Sequence, residues 1–211
     1  MSLGIVDYES QDETHSLYDV IFFEDRVYTL VTSTPAMVDS WIAEIEQIHW
    51  RRLHRLIVGL DVEWRPNNRH FDNPIATLQL CVGRRCLIFQ MLHAEGVIPE
   101  SLINFLGEPN YTFVGVGIDD DVEKLMGDYG ISVSTTVDLR SLAADVYGVR
   151  EFRTAGLKTL AREVLGKEVN KPKSITRSRW DYRWLTPAQV QYACIDAFLS
   201  FEIGRRLNAA G

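Results

Sequence analysis

Carboxylates set where the surrounding sequence calls for burial constrain this chain more than any other feature. The run Leu56-Ile57-Val58-Gly59-Leu60 is apolar and reads as a buried central strand, yet it continues into Asp61-Val62-Glu63-Trp64. Residues two apart on a strand share a face, so Asp61 and Glu63 point one way and Val62 the other. Asp196 closes Tyr192-Ala193-Cys194-Ile195-Asp196 in a predicted helix, with Ala193, Ile195 and Ala197 around it. A mid-helix carboxylate in that company needs a partner. A third segment, Phe113-Val114-Gly115-Val116-Gly117-Ile118, runs into Asp119, Asp120 and Asp121 at a predicted helix N-terminus. The helix dipole accommodates one or two of those acids, and spacing does not say which one faces inward. Carboxylates gathered into one site repel unless a cation neutralises them. Hard divalent cations take oxygen ligands, which points to Mg²⁺ or Mn²⁺. A pair of such ions is the usual means of breaking phosphodiesters.

With 211 residues, 46% of them hydrophobic, the chain can build a full core in one large domain. Residues 1–15 are polar and acidic and read as a flexible N-terminus; residues 16–211 read as a single domain. No apolar run reaches membrane-spanning length, and no signal peptide is read at the N-terminus. Cys81, Cys86 and Cys194 form no CxxC and have apolar neighbours, which suits buried thiols in a reducing, cytoplasmic compartment rather than structural zinc. The net charge of −7 argues against broad attraction to phosphate. Positive charge is concentrated locally, however, in Lys167, Lys171, Lys173, Arg177, Arg179 and Arg183. Lys173 and Arg177 are the candidates for substrate phosphates, and Trp64, next to the acidic pair, for stacking on a terminal base. The five histidines show no ligand pairing. No GxSxG is present, and Gly115-Val116-Gly117 lacks the third glycine of a dinucleotide site and is followed by acids.

Turn and period signals lay out the elements. Tyr18–Phe23 and Arg26–Val31 read as a hairpin, and Thr34-Pro35 as the start of a helix with a stripe at Met37, Trp41, Ile45 and Ile48. Leu56–Trp64, Ile75–Val82 and Cys86–Met91 read as an antiparallel meander. Pro99–Gly107 reads as a helix, Tyr111–Val116 as a strand, and Asp119–Tyr129 as a helix. Thr136–Asp138 reads as a short strand, and Leu139–Tyr147 and Gly156–Leu165 as helices. Lys167–Arg179 reads as an irregular basic loop, and Thr186-Pro187 opens a final helix to about Leu207. A meander followed by alternating strands and helices predicts a mixed sheet flanked by helices.

The three acidic segments, in this order, resemble the exonuclease motifs of the DEDD superfamily. Ile75-Ala76-Thr77-Leu78-Gln79-Leu80-Cys81, and Trp180 with Leu185-Thr186-Pro187-Ala188-Gln189, resemble its Werner-type 3′–5′ exonuclease branch, from about Tyr18 to Leu207. Within that branch the chain is similar to small stand-alone plant exoribonucleases associated with the RNA-silencing complex. Gln191 stands where some relatives carry a catalytic histidine, while Tyr192 fits the tyrosine (DEDDy) subclass. The resemblance implies an RNase H-like α/β fold with a mixed sheet of five to six strands. It implies metal ligands Asp61, Glu63, Asp121 and Asp196, with Asp121 selected from its triplet only by this alignment. It implies Tyr192 as the residue orienting the attacking water, and two divalent ions, Mg²⁺ or Mn²⁺, as cofactors. The implied partners are single-stranded RNA or DNA, further copies of the chain in a ring such as a hexamer, and Argonaute-type proteins of the silencing complex. A DNA exonuclease of the Werner type and a catalytically silent scaffold are the competing readings.

Overall fold

The computed structural model describes residues 3–8, 13–67, 71–170 and 172–211. Its core is one eight-stranded sheet whose strands lie in the spatial order Leu3–Asp7, His15–Phe22, Asp25–Thr32, Arg85–Phe89, Ile75–Val82, Leu56–Trp64, Tyr111–Gly115, Thr135–Asp138, numbered β1 to β8 in chain order. The N-terminal hairpin is β2 (His15–Phe22) and β3 (Asp25–Thr32), and β1 (Leu3–Asp7) pairs antiparallel with β2. The segment expected to fray thus supplies an edge strand: Leu3-Gly4-Ile5-Val6-Asp7 pairs along β2, whose open edge offers hydrogen bonds. Helix α1 (Pro35–His49) follows, with proline in its first turn. It buries Val38, Trp41, Ile42 and Ile45, whereas Ile48, assigned to the apolar stripe by spacing, is 50% exposed.

The meander is β4 (Leu56–Trp64), β5 (Ile75–Val82) and β6 (Arg85–Phe89), all antiparallel neighbours. Every residue of β5 is buried, as befits a strand covered on both faces. Beyond it come α2 (Glu100–Gly107), β7 (Tyr111–Gly115), α3 (Ile118–Tyr129), β8 (Thr135–Asp138) and α4 (Leu139–Tyr147). β7 pairs parallel with both β4 and β8, and β3 pairs parallel with β6. The sheet is therefore mixed, as expected. Its eight strands exceed the expected five to six because β1 and the four-residue β8 extend both edges. Helix α5 (Leu157–Leu160) runs straight into a π-helical stretch, Ala161–Leu165, closed by Gly166 in the left-handed region. The basic loop contains one short helix, α6 (Lys173–Thr176).

The last helix, α7 (Pro187–Arg206), opens with a full capping box between Thr186 and Gln189 and lies against the sheet. Fourteen of its residues, Tyr192 through Phe201 among them, are buried, so it forms a central layer rather than a surface helix. A Cβ at Gly59 of β4 would lie 2.1 Å from the Ala197 carbonyl and 2.7 Å from the Phe201 nitrogen. A bare backbone there is what lets α7 touch β4. Val114 of β7 meets Gly204 in the same way, since a Cβ there would come within 2.9 Å of it. No described helix is long and apolar enough to cross a membrane.

Candidate active site

β4 and α7 bring the first acids together. Gly59, Asp61 and Glu63 share the face of β4 on which α7 lies, and the Gly59 contact is made by Ala197, the residue after Asp196. Carboxylate oxygens of Asp61, Glu63 and Asp196 all fall within 4.8 Å of one another. Asp61 and Glu63 are half-buried and Asp196 is 4% exposed. Three carboxylates that close would repel at neutral pH, and an all-oxygen donor set fits hard divalent cations, Mg²⁺ or Mn²⁺. Across the strand pair, Gln79 lies opposite Asp61 and Thr77 opposite Glu63, both fully buried. Gln79 Nε2 donates to Thr77 Oγ1 at 2.6 Å, so two neutral polar groups line the site's flank on β5. Their alternation in the apolar Ile75–Val82 run carried the signal, but a chemical role could not be read from it.

Asp121 lies in the first turn of α3, just after the turn that leaves β7. A Cβ at Gly115 would lie 2.9 Å from the Leu60 carbonyl, so the exit of β7 presses on β4 immediately before Asp61. Gly117 caps α3 with φ 77°, a conformation suited to glycine. Asp138, which sequence reasoning passed over, braces this turn: its carboxylate accepts from Gly117 N at 3.2 Å and from Arg140 N at 2.8 Å. Asp119 and Asp120 are exposed and Asp121 is turned inward. Burial, then the charges of Asp120 and Asp138, push its carboxyl up to about 7. Asp121 does not join the group of mutually close oxygens formed by Asp61, Glu63 and Asp196.

Tyr192 lies one turn before Asp196 on α7 and is 8% exposed. The Thr176 hydroxyl donates to the Tyr192 hydroxyl at 3.1 Å, and the buried Trp180 ring packs 6.0 Å from the tyrosine ring. Thr176 ends α6, so the basic loop reaches the site through this contact. Tyr192 and Asp196 line a cleft of about 120 Å³ together with Leu3, Pro172, Ile175 and Gln191.

The remaining candidates divide. Trp64 is half-buried, packs on the core, and has Lys124 Nζ 5.3 Å from its ring centroid. Lys173 and Arg177 are exposed on and just after α6. Lys167 is engaged elsewhere, bonding Asp25 at 2.7 Å and Glu24 at 3.0 Å, and Arg179 is held by Asp181 at 2.7 Å. Arg183 stands over the Trp184 ring at 5.9 Å. Lys171 and His70 lie outside the described residues. The three cysteines are free and buried, and burial pushes each thiol up.

A family model described as 3'-5' exonuclease matches residues 31–210. A 3'-5' exonuclease of Arabidopsis thaliana is 37% identical over 154 residues, covering 72% of this chain and 52% of that protein. The bifunctional 3'-5' exonuclease/ATP-dependent helicase WRN of Mus musculus is 33% identical over 197 residues, 92% of this chain and 14% of its own length. The chain thus spans from about half to a small fraction of these relatives. Among solved structures, Escherichia coli RNase D, an exoribonuclease involved in structured RNA processing, superposes with a TM-score of 0.66. It covers 85% of this chain and 44% of RNase D at 22% identity, a likeness of fold. The EXD2 exonuclease domain, in crystals soaked in Mn and GMP, gives a TM-score of 0.50 at 26% identity over 86% of this chain and 90% of that one. The chain therefore belongs to the 3'-5' exonuclease family, and its Asp61, Glu63 and Asp196 form an acidic cluster able to hold a metal ion.

Proposed function

We propose that this chain shortens single-stranded RNA, small RNA above all, from the 3′ end and releases nucleoside 5′-monophosphates. The observation that carries the reading is the convergence of Asp61, Glu63 and Asp196 oxygens within 4.8 Å on the turn of helix that also bears Tyr192. Asp61 would hold both divalent ions, Glu63 and Asp196 would complete one shell, and Asp121 would serve the other. Bound there, such ions would supply charge neutralisation at the scissile phosphate and a more acidic attacking water. The Tyr192 hydroxyl, accepting from Thr176, can direct its own proton to that water and so hold its oxygen toward phosphorus. The water gives up one proton to solvent as its oxygen bonds to phosphorus, the bond to the 3′ oxygen of the preceding nucleotide breaks, and that oxygen takes up a proton from solvent. The phenol serves as an orienting group in this reading, not as the base.

A net charge of −7 suits a short strand gripped by few phosphate contacts better than a long duplex footprint. Lys173 and Arg177, exposed beside the cleft, supply such contacts, and Trp64 is the neighbour of the acids able to meet a base. The preference for RNA, a cytoplasmic role in clearing RNA for the silencing machinery, contact with Argonaute-type partners and assembly into a ring of like subunits extend the reading. They rest on the motif resemblance.

The test is a panel of end-labelled single-stranded RNA, single-stranded DNA and recessed duplex DNA with Mg²⁺ or Mn²⁺. The expected result is a ladder shortening from the 3′ end on RNA. Preferential attack on recessed DNA ends would replace the reading with a Werner-type DNA exonuclease. Cleavage of nothing with either metal would leave a scaffold.

A further inference from the structure

Away from the acidic cluster, the molecule carries a concentration of exposed aromatic and cationic side chains that the reaction does not use. Tyr182 is 53% exposed and Trp184 is 70% exposed, the highest value among the large hydrophobic residues described. Single exposed apolar side chains need no explanation. These two alternate with guanidinium groups. Arg179 lies 4.4 Å from the Tyr182 ring centroid and Arg183 lies 5.9 Å from that of Trp184.

The backbone beneath them is fastened at several points. Trp180 is fully buried and donates to the Thr176 carbonyl at 3.3 Å. Gln90 Nε2 donates to the Arg183 carbonyl at 2.8 Å, Gln189 Nε2 to the Arg179 carbonyl at 3.3 Å, and His93 Nε2 meets the Asp181 carbonyl at 3.1 Å. None of these bonds uses the rings of Tyr182 or Trp184. The loop is a fixed support that holds both rings outward at little entropic cost to whatever they meet.

Its position ties it to the catalytic site. Arg65, the residue after Trp64 of β4, pairs with Asp181 at 3.5 Å, and the segment begins at Thr176 on the Tyr192 hydroxyl. On the far side, Arg183 and Trp184 border a cleft of about 190 Å³ whose other wall includes Thr14, His15, Ser33 and the carboxylate-bearing Glu13. β3, β4, β6 and β7 run in one direction, so the ends of β3 and β6 that border this cleft lie on the same edge of the sheet as Asp61 and Glu63.

We propose that Tyr182, Arg183 and Trp184 form a stacking platform for unpaired nucleotides on the 5′ side of the scissile bond, a binding site distinct from the metal centre. Bases stack on the two rings whatever their identity, and Arg183 meets the backbone between them. The occupant is a single nucleic-acid strand already engaged at its 3′ end, because interleaved rings and guanidinium groups suit stacked bases and phosphates. This rests on reading the substrate as a single strand.

The test compares binding of a dinucleotide and a labelled single strand of about twelve nucleotides, by fluorescence anisotropy in EDTA so that nothing is cleaved. Trp184→Ala is expected to weaken the longer strand about tenfold and leave the dinucleotide unchanged. Trp184→Phe, which keeps a stacking face, is expected to restore most of the loss. Equal affinity of wild type and Trp184→Ala for the longer strand would overturn the platform. So would unchanged strand binding accompanied by loss of a self-associated species on sedimentation, which would make the rings a protein contact. Hydrolysis of the dinucleotide by the same variant with Mn²⁺ reports on the exonuclease reading independently, so the failure of one is distinct from the failure of the other.

Discussion

At the smallest scale, the proposed mechanism turns on Tyr192 and the threonine bonded to it, Thr176. The threonine hydroxyl fixes the position of the phenol oxygen through one 3.1 Å bond. Tyr192→Phe removes the group that orients water and is expected to lower kcat about a hundredfold, with metal affinity and KM little changed. Thr176→Val keeps the shape and removes only the donor; roughly a tenfold loss in kcat is expected, and Thr176→Ser is expected to recover it. Steady-state kinetics on a short RNA checks both, and an unaltered kcat in Tyr192→Phe would remove the hydroxyl from the mechanism. The shared faces of Asp61 with Glu63 and of Tyr192 with Asp196 were legible in the sequence because strand and helix periods are short and fixed, whereas the water-orienting role of Tyr192 came only from the motif resemblance. Two positions along a strand or four along a helix determine a shared face. Asp121 was not legible from spacing, since three consecutive acids at a helix start differ only in direction. The contact with Thr176 spans sixteen residues between a loop and a helix, a distance over which no period operates.

Elements meet here through missing side chains. Gly59→Ala drives a methyl into the Ala197 carbonyl and the Phe201 amide, both backbone atoms of a long buried helix that cannot step aside cheaply. The expected cost is about 1–3 kcal/mol or more, with activity lost because Asp196 moves relative to Asp61. Gly127→Ala in α3 is the contrast: nothing lies within 4 Å and φ is not positive, so a gain of about 0.5–1 kcal/mol is expected from helix propensity and a restricted unfolded chain. Urea midpoints of the two variants should move in opposite directions.

Lys167 is the electrostatic counterpart. It reaches Asp25 at 2.7 Å, where Arg84 also binds, with its ammonium 5.5 Å from the ring centroids of Phe22 and Phe23. Burial alone would raise Asp25, but the bonds from Lys167 and Arg84 outweigh it and hold the carboxyl below its ordinary value. A carboxyl depressed in the folded state stabilises above its unfolded pKa and loses that contribution as pH falls through the folded value. Lys167→Met, which keeps the apolar stem, is therefore expected to cost about 1.5–3 kcal/mol at neutral pH. The gap from wild type in thermal melts should close as pH drops below about 4. Strands, helix starts and the Thr186-Pro187 opening of the final helix were readable because proline, glycine and threonine mark them locally. β1 was missed because an edge strand depends on the partner beside it rather than on its own composition.

Across the whole molecule, six strands (β1, β3, β4, β6, β7 and β8) share one direction and deliver their C-terminal ends to one edge of the sheet, with α7 laid across the middle strands. The acids of β4, the turn after β7, the face of α7 and the aromatic loop before it all converge on that edge. Fold class was legible because a meander followed by alternating strands and helices leaves few ways to bury every apolar face. Strand order was not, because the parallel pairings β3–β6 and β4–β7 join segments remote in sequence. If this edge is a divalent-metal site for hydrolysis, calorimetric titration of Mn²⁺ into the chain, paired with the end-labelled RNA assay, will show it. Wild type is expected to bind two ions and to cut only when they are present, with EDTA abolishing the ladder. Asp61→Asn is expected to lose at least one ion and at least about a thousandfold in rate while melting at or above the wild-type temperature, because it relieves crowded negative charge. Full Mn²⁺ stoichiometry and undiminished cleavage in Asp61→Asn would contradict the account.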